Sequence, residues 1–341
     1  MKNKSIRLCV AGATGAVGKA LLSILYSKGF PVENIYALAS SRSAGQKIPY
    51  GKNKIEVLNI ANFDFSQAKI GLFSAGGSVS AEYAPKAARA GCIVVDNTSH
   101  FRMHPDVPLI VPEVNKKNIV DYQKTGIIAN PNCSTIQMVV ALKPIYDAVG
   151  IERVNVATYQ AVSGSGKKAI DELDQQVHQI TQSQPLSKPQ VYAKQIAFNC
   201  LPHIDVFLEN GFTKEEMKMV NETKKIFSDD SIQVNPTTVR VPVVYGHSEA
   251  LHIQTKEPIS ASQAKQLISQ AEGVILMDDP STNTYPTVLD AAHEDQVFVG
   301  RIRQGLSHPN ELNMWVVADN IRKGAATNAI QIAEELISNY L

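Results

Sequence analysis

Ile6-Arg7-Leu8-Cys9-Val10-Ala11-Gly12-Ala13-Thr14-Gly15-Ala16-Val17-Gly18 is the stretch that decides the fold. An apolar strand over Ile6–Ala11 runs into three glycines. Beyond them Leu21, Leu22, Ile24 and Leu25 recur at helical spacing. In a strand, glycine turn and helix of this kind, backbone N–H groups at the helix start can hold a pyrophosphate, and glycines let the chain approach it. The spacing is GxxGxxG rather than GxGxxG, so the flanking strand and helix carry the dinucleotide reading more than the glycines do. The alternative is a tight turn with no ligand.

Outward from this turn, the second strand, Ile35–Ala39, ends in Ser40-Ser41-Arg42-Ser43-Ala44-Gly45. An NAD site usually sets a carboxylate there, on the ribose hydroxyls. Here an arginine among hydroxyls suits a phosphate instead, which favours NADP over NAD; otherwise Arg42 is a solvated loop residue. Strands are predicted at Ile55–Leu58, Ile70–Phe73, Ile93–Val95, Leu109–Val111 and Gly126–Ala129, with an alanine-rich helix at Ala81–Ala90. This alternation predicts an α/β fold, a Rossmann-type doubly wound parallel sheet. Ser74–Ser78 and Asp96–Arg102 follow strands, where such sheets bind ligands, so Arg102 can face an anion or sit in a surface ion pair.

The chain has 341 residues, room for two domains. Lys+Arg number 33 against Asp+Glu 32, and no basic block predicts a nucleic-acid partner. No apolar run is long enough for a bilayer, and the N-terminus lacks signal-peptide architecture. Cys9, Cys92, Cys133 and Cys200 are far apart and without CxxC spacing, which argues against a disulfide framework and against a metal site. A cytoplasmic protein is the expectation.

Ala129-Asn130-Pro131-Asn132-Cys133-Ser134-Thr135 ends one strand and opens a helix, with Ile136, Val139, Val140, Leu142 and Ile145 on its periodic face. Pro131 stops the strand. Cys133 therefore sits at a helix N-terminus, whose partial positive charge favours a nucleophilic thiolate, although a free cysteine is more often a buried structural residue. Past it, Arg153–Val162 alternates as a strand and ends in Ser163-Gly164-Ser165-Gly166. Helices follow at Lys167–Thr181 and Thr213–Phe227, the second placing Glu215 and Lys218 one turn apart. Thr237–Val244 is a predicted strand holding Arg240. His247 follows a glycine turn before the strand Ala250–Thr255, and is the histidine of the eight best placed for a site rim. Leu312–Ala318 is a late strand, and Asp319-Asn320 caps a final helix, Ile321–Ile337. That helix can return to the first domain. The predicted division is residues 1–132 with 321–341 as the dinucleotide domain and 133–320 as a second, α+β catalytic and dimerisation domain.

Taken together, GATGAVG, SSRSAG, DNTSHFRM, VPEVN, NPNCST, TYQAVSGSG and VRVPVVYGHSE resemble the aspartate-β-semialdehyde dehydrogenases, in the family's order and from about Ile6 to the C-terminal helix. The resemblance implies reversible, NADPH-dependent reductive dephosphorylation of L-4-aspartyl phosphate to L-aspartate 4-semialdehyde through a cysteine thioester, in the biosynthesis of lysine, threonine, methionine and isoleucine. It implies Cys133 as nucleophile, His247 as acid/base and Gln160 as the residue orienting substrate beside the sulfur. Arg240, Glu215 and Asn132 are then substrate contacts, and Arg102 and Lys218 hold the phosphate. NADP(H) contacts are implied at Gly12, Thr14, Gly15, Ala16, Val17, Ser41, Arg42, Ser43, Ser163, Gly164 and Asn320. No metal is implied; a homodimer is. The rival readings are a related acyl-phosphate reductase, such as an N-acetyl-glutamyl-phosphate reductase, and a non-catalytic dinucleotide-binding homologue.

Overall fold

The computed structural model describes residues 6–341 and divides into two compact units, one running to Asn132 and taking in Gly324–Leu341, the other Cys133–Lys323. In the first, strands β1 (Leu8–Ala11), β2 (Ile35–Ala39), β3 (Lys47–Tyr50), β4 (Asn53–Asn59), β5 (Ile70–Phe73), β6 (Ile93–Asp96) and β7 (Ile127–Ala129) form one sheet in the order β3-β4-β2-β1-β5-β6-β7. All neighbours are parallel except the edge pair β3–β4. All four residues of β1, LCVA, are buried, as a strand covered on both faces requires. Helices α1 (Ala16–Ser27), α2 (Gly77–Arg89) and α3 (Pro112–Asn115) accompany it, and the C-terminal helix, Asn328–Asn339, buries Ile330, Ile332, Ala333 and Leu336 in the same core.

The glycine turn has steric reasons for its composition. Gly12 has φ +85°, and a Cβ there would lie 2.5 Å from the Ser74 carbonyl oxygen. A Cβ on Gly18 would lie 2.1 Å from the Gly12 carbonyl, so the helix seats closely on the strand only with glycine.

Leu109–Val111, predicted as a strand, makes only a bridge from Leu109 to Ala129. Asn115 takes over the backbone of this stretch: its Oδ1 accepts from Val111 N–H (2.9 Å) and its Nδ2 donates to the Leu109 carbonyl (2.9 Å), and Pro112 opens α3. The edge strand β3 was not predicted. Its Pro49 is tolerated because an edge strand has one unpaired side.

The second unit is a mixed sheet of β8 (Ile151–Gln160), β9 (Gln233–Arg240), β10 (His247–Thr255), β11 (Val274–Leu276), β12 (Val297–Gln304) and β13 (Glu311–Ala318), ordered β11-β12-β13-β10-β8-β9. Helix α4 (Cys133–Val149) packs on β8, β10, β12 and β13 and also meets α6 (Lys214–Phe227) and α7 (Ala261–Ser269); α5 (Lys167–Thr181) and α8 (Val288–Ala291) complete the unit. Enclosed between sheet and helices, α4 is buried continuously from Ser134 to Leu142 and not on one stripe alone. A capping box opens α6: Thr213 Oγ1 accepts from Glu216 N–H and the Glu216 carboxylate accepts from Thr213 N–H.

Several predicted boundaries shift. β9 stops at Arg240, since Pro242 has no N–H to continue a ladder, and β10 begins at His247. The predicted final helix starts instead as a π-helical turn, Arg322–Thr327, before Asn328–Asn339; the Asp319 carboxylate caps it, accepting from Ile321 and Arg322 N–H. Among the described residues no helix is long and apolar enough to cross a membrane.

Candidate active site

Strand register gathers the chemistry of the second unit on one rim of its sheet. Gln160 and Arg240 are partners at the ends of parallel β8 and β9. His247, at the start of β10, is opposite Ala318 at the end of β13, two residues before Asn320. Residues from four separate stretches thus share one edge.

Ala161, the residue after β8, ties two of them together through its backbone. Its N–H donates to His247 Nδ1 at 3.0 Å, and its carbonyl accepts from Arg240 Nη1 at 2.6 Å. With Nδ1 accepting, the neutral imidazole carries its proton on Nε2, which is buried and meets no hydrogen-bond partner among the described residues. Burial, then the nearby Arg240 charge, pushes the His247 pKa down to about 3, so the ring is neutral at pH 7. Arg240 is 4% exposed and has no carboxylate partner among the described residues; its Nε is buried without a hydrogen bond. A buried cation left unpaired is costly, and such an arginine is suited to an incoming anion. Gly164 closes over this pair: a Cβ there would lie 3.0 Å from Arg240 Nη1 and 3.5 Å from His247 Nε2.

A polar chain extends from Gln160. Its Nε2 donates to Thr158 Oγ1 (3.2 Å) and to Glu215 Oε1 (3.4 Å). Glu215, buried at the start of α6, accepts from Lys218 Nζ at 2.9 Å, and Lys218 also meets Asp205 at 2.9 Å. Burial opposes the Lys218 charge, but Glu215 and Asp205 outweigh it and raise its pKa.

Cys133 is the first residue of α4, half-buried and in no disulfide. One turn along, on the same helix face, Gln137 donates Nε2 to the His247 carbonyl at 3.3 Å, pinning the helix to the strand that carries the imidazole. Asn132 is buried beside it in sequence. Also on the inward face of β10, two residues from His247, Glu249 is fully buried and has no cationic partner among the described residues. Burial holds its carboxyl well above the usual range, against the favourable Gln137 amide. Ser163 Oγ and Asn320 Nδ2 are 3.0 Å apart, and Asn320 Oδ1 accepts from Gly246 N–H at 3.0 Å, so these two side chains brace the turn before His247.

The sequence reading overlooked Ala161, Gln137 and Glu249. For Gln137 and Glu249 a signal existed: i+4 from Cys133 in a helix, and an acid at an inward position between His247 and Leu251 of an alternating strand. For Ala161 there was none, because only its backbone acts.

In the first unit, Gly15 N-caps α1, with Thr14, Ala16 and Val17 around it, and Ser41, Arg42 and Ser43 form the turn after β2. Arg42 is exposed and makes no hydrogen bond or ion pair among the described residues. At the carboxyl ends of β5, β6 and β7, Arg102 is 8% exposed and donates from Nε to the Asn130 carbonyl and from Nη2 to the Asn97 carbonyl, both at 2.9 Å. Asn130 in turn bonds the Asn97 and Asn328 side chains. A dinucleotide fits these residues: the Gly12 position has no room for a Cβ, while Cβ atoms on Gly76 and Gly77, after β5, would meet open space. No carboxylate stands at the end of β2 to repel a phosphate. Among the described residues no group of three or more His, Cys, Asp or Glu is placed to hold a metal ion.

A dinucleotide-type sheet and a mixed-sheet unit carrying a cysteine, a neutral imidazole and a buried arginine define the semialdehyde dehydrogenase class. Residues 7–122 match the family described as semialdehyde dehydrogenase, NAD binding domain, and 142–323 the semialdehyde dehydrogenase, dimerisation domain. The chain is 59% identical over 340 residues to the aspartate-semialdehyde dehydrogenase of Legionella pneumophila, covering 99% of this chain and 98% of that protein. It is similar to the crystal structure of Vibrio cholerae aspartate semialdehyde dehydrogenase II complexed with ASA: TM-score 0.96, 54% identity, 98% of this chain and 99% of that one. It is also similar to the Candida albicans enzyme with NADP: TM-score 0.76, 25% identity, 98% and 99% covered. The chain belongs to the aspartate-semialdehyde dehydrogenase family.

Proposed function

We propose that the chain interconverts L-4-aspartyl phosphate and L-aspartate 4-semialdehyde, in the biosynthesis of lysine, threonine, methionine and isoleucine, as a cytoplasmic homodimer. The observation that carries the reading is the buried, unpaired Arg240 on the same rim as a neutral His247 with a partnerless Nε2–H. A substrate with a carboxylate at one end and an electrophilic carbonyl at the other meets both.

In the reductive direction the Cys133 thiolate attacks the acyl carbonyl, phosphate departs with the C–O bonding electrons, and a thioester remains. Splitting the reaction this way gives a carbonyl far more ready for hydride than a carboxylate. Bound NADP(H) supplies or accepts the hydride. His247, the proposed acid/base group, is neutral and acts by donating its Nε2–H as a hydrogen bond to the oxyanion that forms as hydride arrives; that oxyanion collapses to aldehyde and thiolate with the proton still on the ring. A fixed donor of this kind contributes about 3 kcal/mol of transition-state stabilisation. Arg240 holds the α-carboxylate. Its Nη1 is committed to Ala161, which leaves the Nε–Nη2 edge as the fork. Glu215 is the proposed partner of the substrate ammonium, Gln160 orients the substrate beside the Cys133 sulfur, and Asn132 is a further contact. Arg102 and Lys218 are the proposed phosphate ligands. The cofactor falls to Gly12, Thr14, Gly15, Ala16 and Val17, with Arg42, Ser41 and Ser43 on the 2′-phosphate, and Ser163, Gly164 and Asn320 as further contacts.

The test is phosphate-dependent NADP reduction with L-aspartate semialdehyde and, in parallel, N-acetylglutamate semialdehyde. Turnover of the first alone is expected. Turnover of the second alone overturns the substrate assignment, and turnover of neither overturns the enzyme reading.

A further inference from the structure

We propose that the Tyr192 hydroxyl is a second ligand for the substrate α-carboxylate, completing the site that Arg240 begins; this rests on the reading of Arg240 given above. The two side chains line one cavity of about 580 Å³, together with Ser165, Asn199, Cys200 and Asp205. The Tyr192 ring centroid is 6.0 Å from the Arg240 guanidinium carbon. Two donors on this wall are buried and unsatisfied: Arg240 Nε and the Tyr192 hydroxyl. Buried donors without partners are rare, because each forfeits its hydration with nothing in return. Two of them, one cationic and one neutral, on neighbouring residues that line one cavity, suit an anion with two oxygens.

Tyr192 is also held rigidly, although its segment has no regular secondary structure. The Glu172 carboxylate on α5 accepts from Val191 N–H at 2.8 Å, and Gln176 Oε1 accepts from Ile196 and Ala197 N–H at 3.0 and 3.1 Å. Buried side chains of one helix thus fix the strap on both sides of the tyrosine, as a preorganised ligand requires. Burial raises the phenol pKa against the opposing Ser165 hydroxyl and Arg240 charge, so the hydroxyl keeps its proton.

Tyr192→Phe removes the hydroxyl and keeps the ring, separating ligation from stacking. In the oxidative assay the KM for L-aspartate semialdehyde is expected to rise about tenfold, the effect of one hydrogen bond to a charged group, with kcat and the KM for phosphate within about twofold of the parent. A KM for the semialdehyde within about twofold of the parent, or an equal rise in the KM for phosphate, overturns the proposal. Arg240→Lys, run alongside, keeps the charge and loses the fork. If Arg240→Lys raises the semialdehyde KM and Tyr192→Phe does not, the tyrosine inference alone fails. If neither variant moves it, the carboxylate reading of Arg240 fails as well.

Discussion

Ala161 holds both His247 and Arg240 without contributing a functional side chain. Its N–H selects the imidazole tautomer, and its carbonyl takes one arm of the guanidinium and so selects the edge that remains. Both effects depend on the backbone staying in register at the end of β8. Gly164, three residues on, leaves the space in which the two groups meet. Gly164→Ala puts a methyl 3.0 Å from Arg240 Nη1 and 3.5 Å from the imidazole. The guanidinium must then give by a few tenths of an ångström, and misplaced binding groups slow the reaction. Steady-state kinetics are expected to show kcat/KM falling by up to about tenfold at unchanged thermal stability; unaltered kinetics would mean that the arginine moves aside at no cost.

At the scale of elements, β10 buries two titratable groups whose effects on stability slope in opposite directions. His247 has a native pKa of about 3, below the ordinary 6.5, so its contribution is complete above pH 6.5 and is lost as the pH falls below that value. Glu249 is the reverse. The native state keeps its proton, while the unfolded chain releases it above about pH 4.5. Stability therefore falls as the pH rises above that point. Glu249→Gln abolishes this release and leaves an isosteric side chain. Chemical denaturation at pH 5 and pH 8 is expected to show the variant gaining on the parent by up to about 1.4 kcal/mol per pH unit in that interval. A stability difference independent of pH would show that Glu249 is ionised in the folded protein.

Over the whole molecule, features confined to a continuous stretch were legible. The glycine turn after β1 announces itself because strand, turn and helix lie within one run, and Cys133 is visibly the first residue of a helix because Pro131 stops what precedes it. The carboxylate-free end of β2 could likewise be read directly. The rim of the second sheet could not be read from spacing: Gln160 and Arg240 are level only because β8 and β9 are parallel in a register set by packing on α4 and α6. Family resemblance named those residues, and the strand register accounts for their meeting. Tyr192 was invisible for a related reason, since a strap without periodicity is placed by Glu172 and Gln176 of a helix that precedes it.

The central claim is that the Cys133 sulfur carries the aspartyl group. Protein mixed with L-aspartate semialdehyde and NADP, with phosphate left out, has no acceptor for the acyl group. Rapid quenching and peptide mass spectrometry are expected to find one aspartyl thioester, on the peptide containing Cys133, accompanied by a stoichiometric burst of reduced cofactor and discharged when phosphate is added. An unmodified Cys133 in protein that has produced the burst, or a Cys133→Ala variant that turns over at the parent rate, would contradict the account.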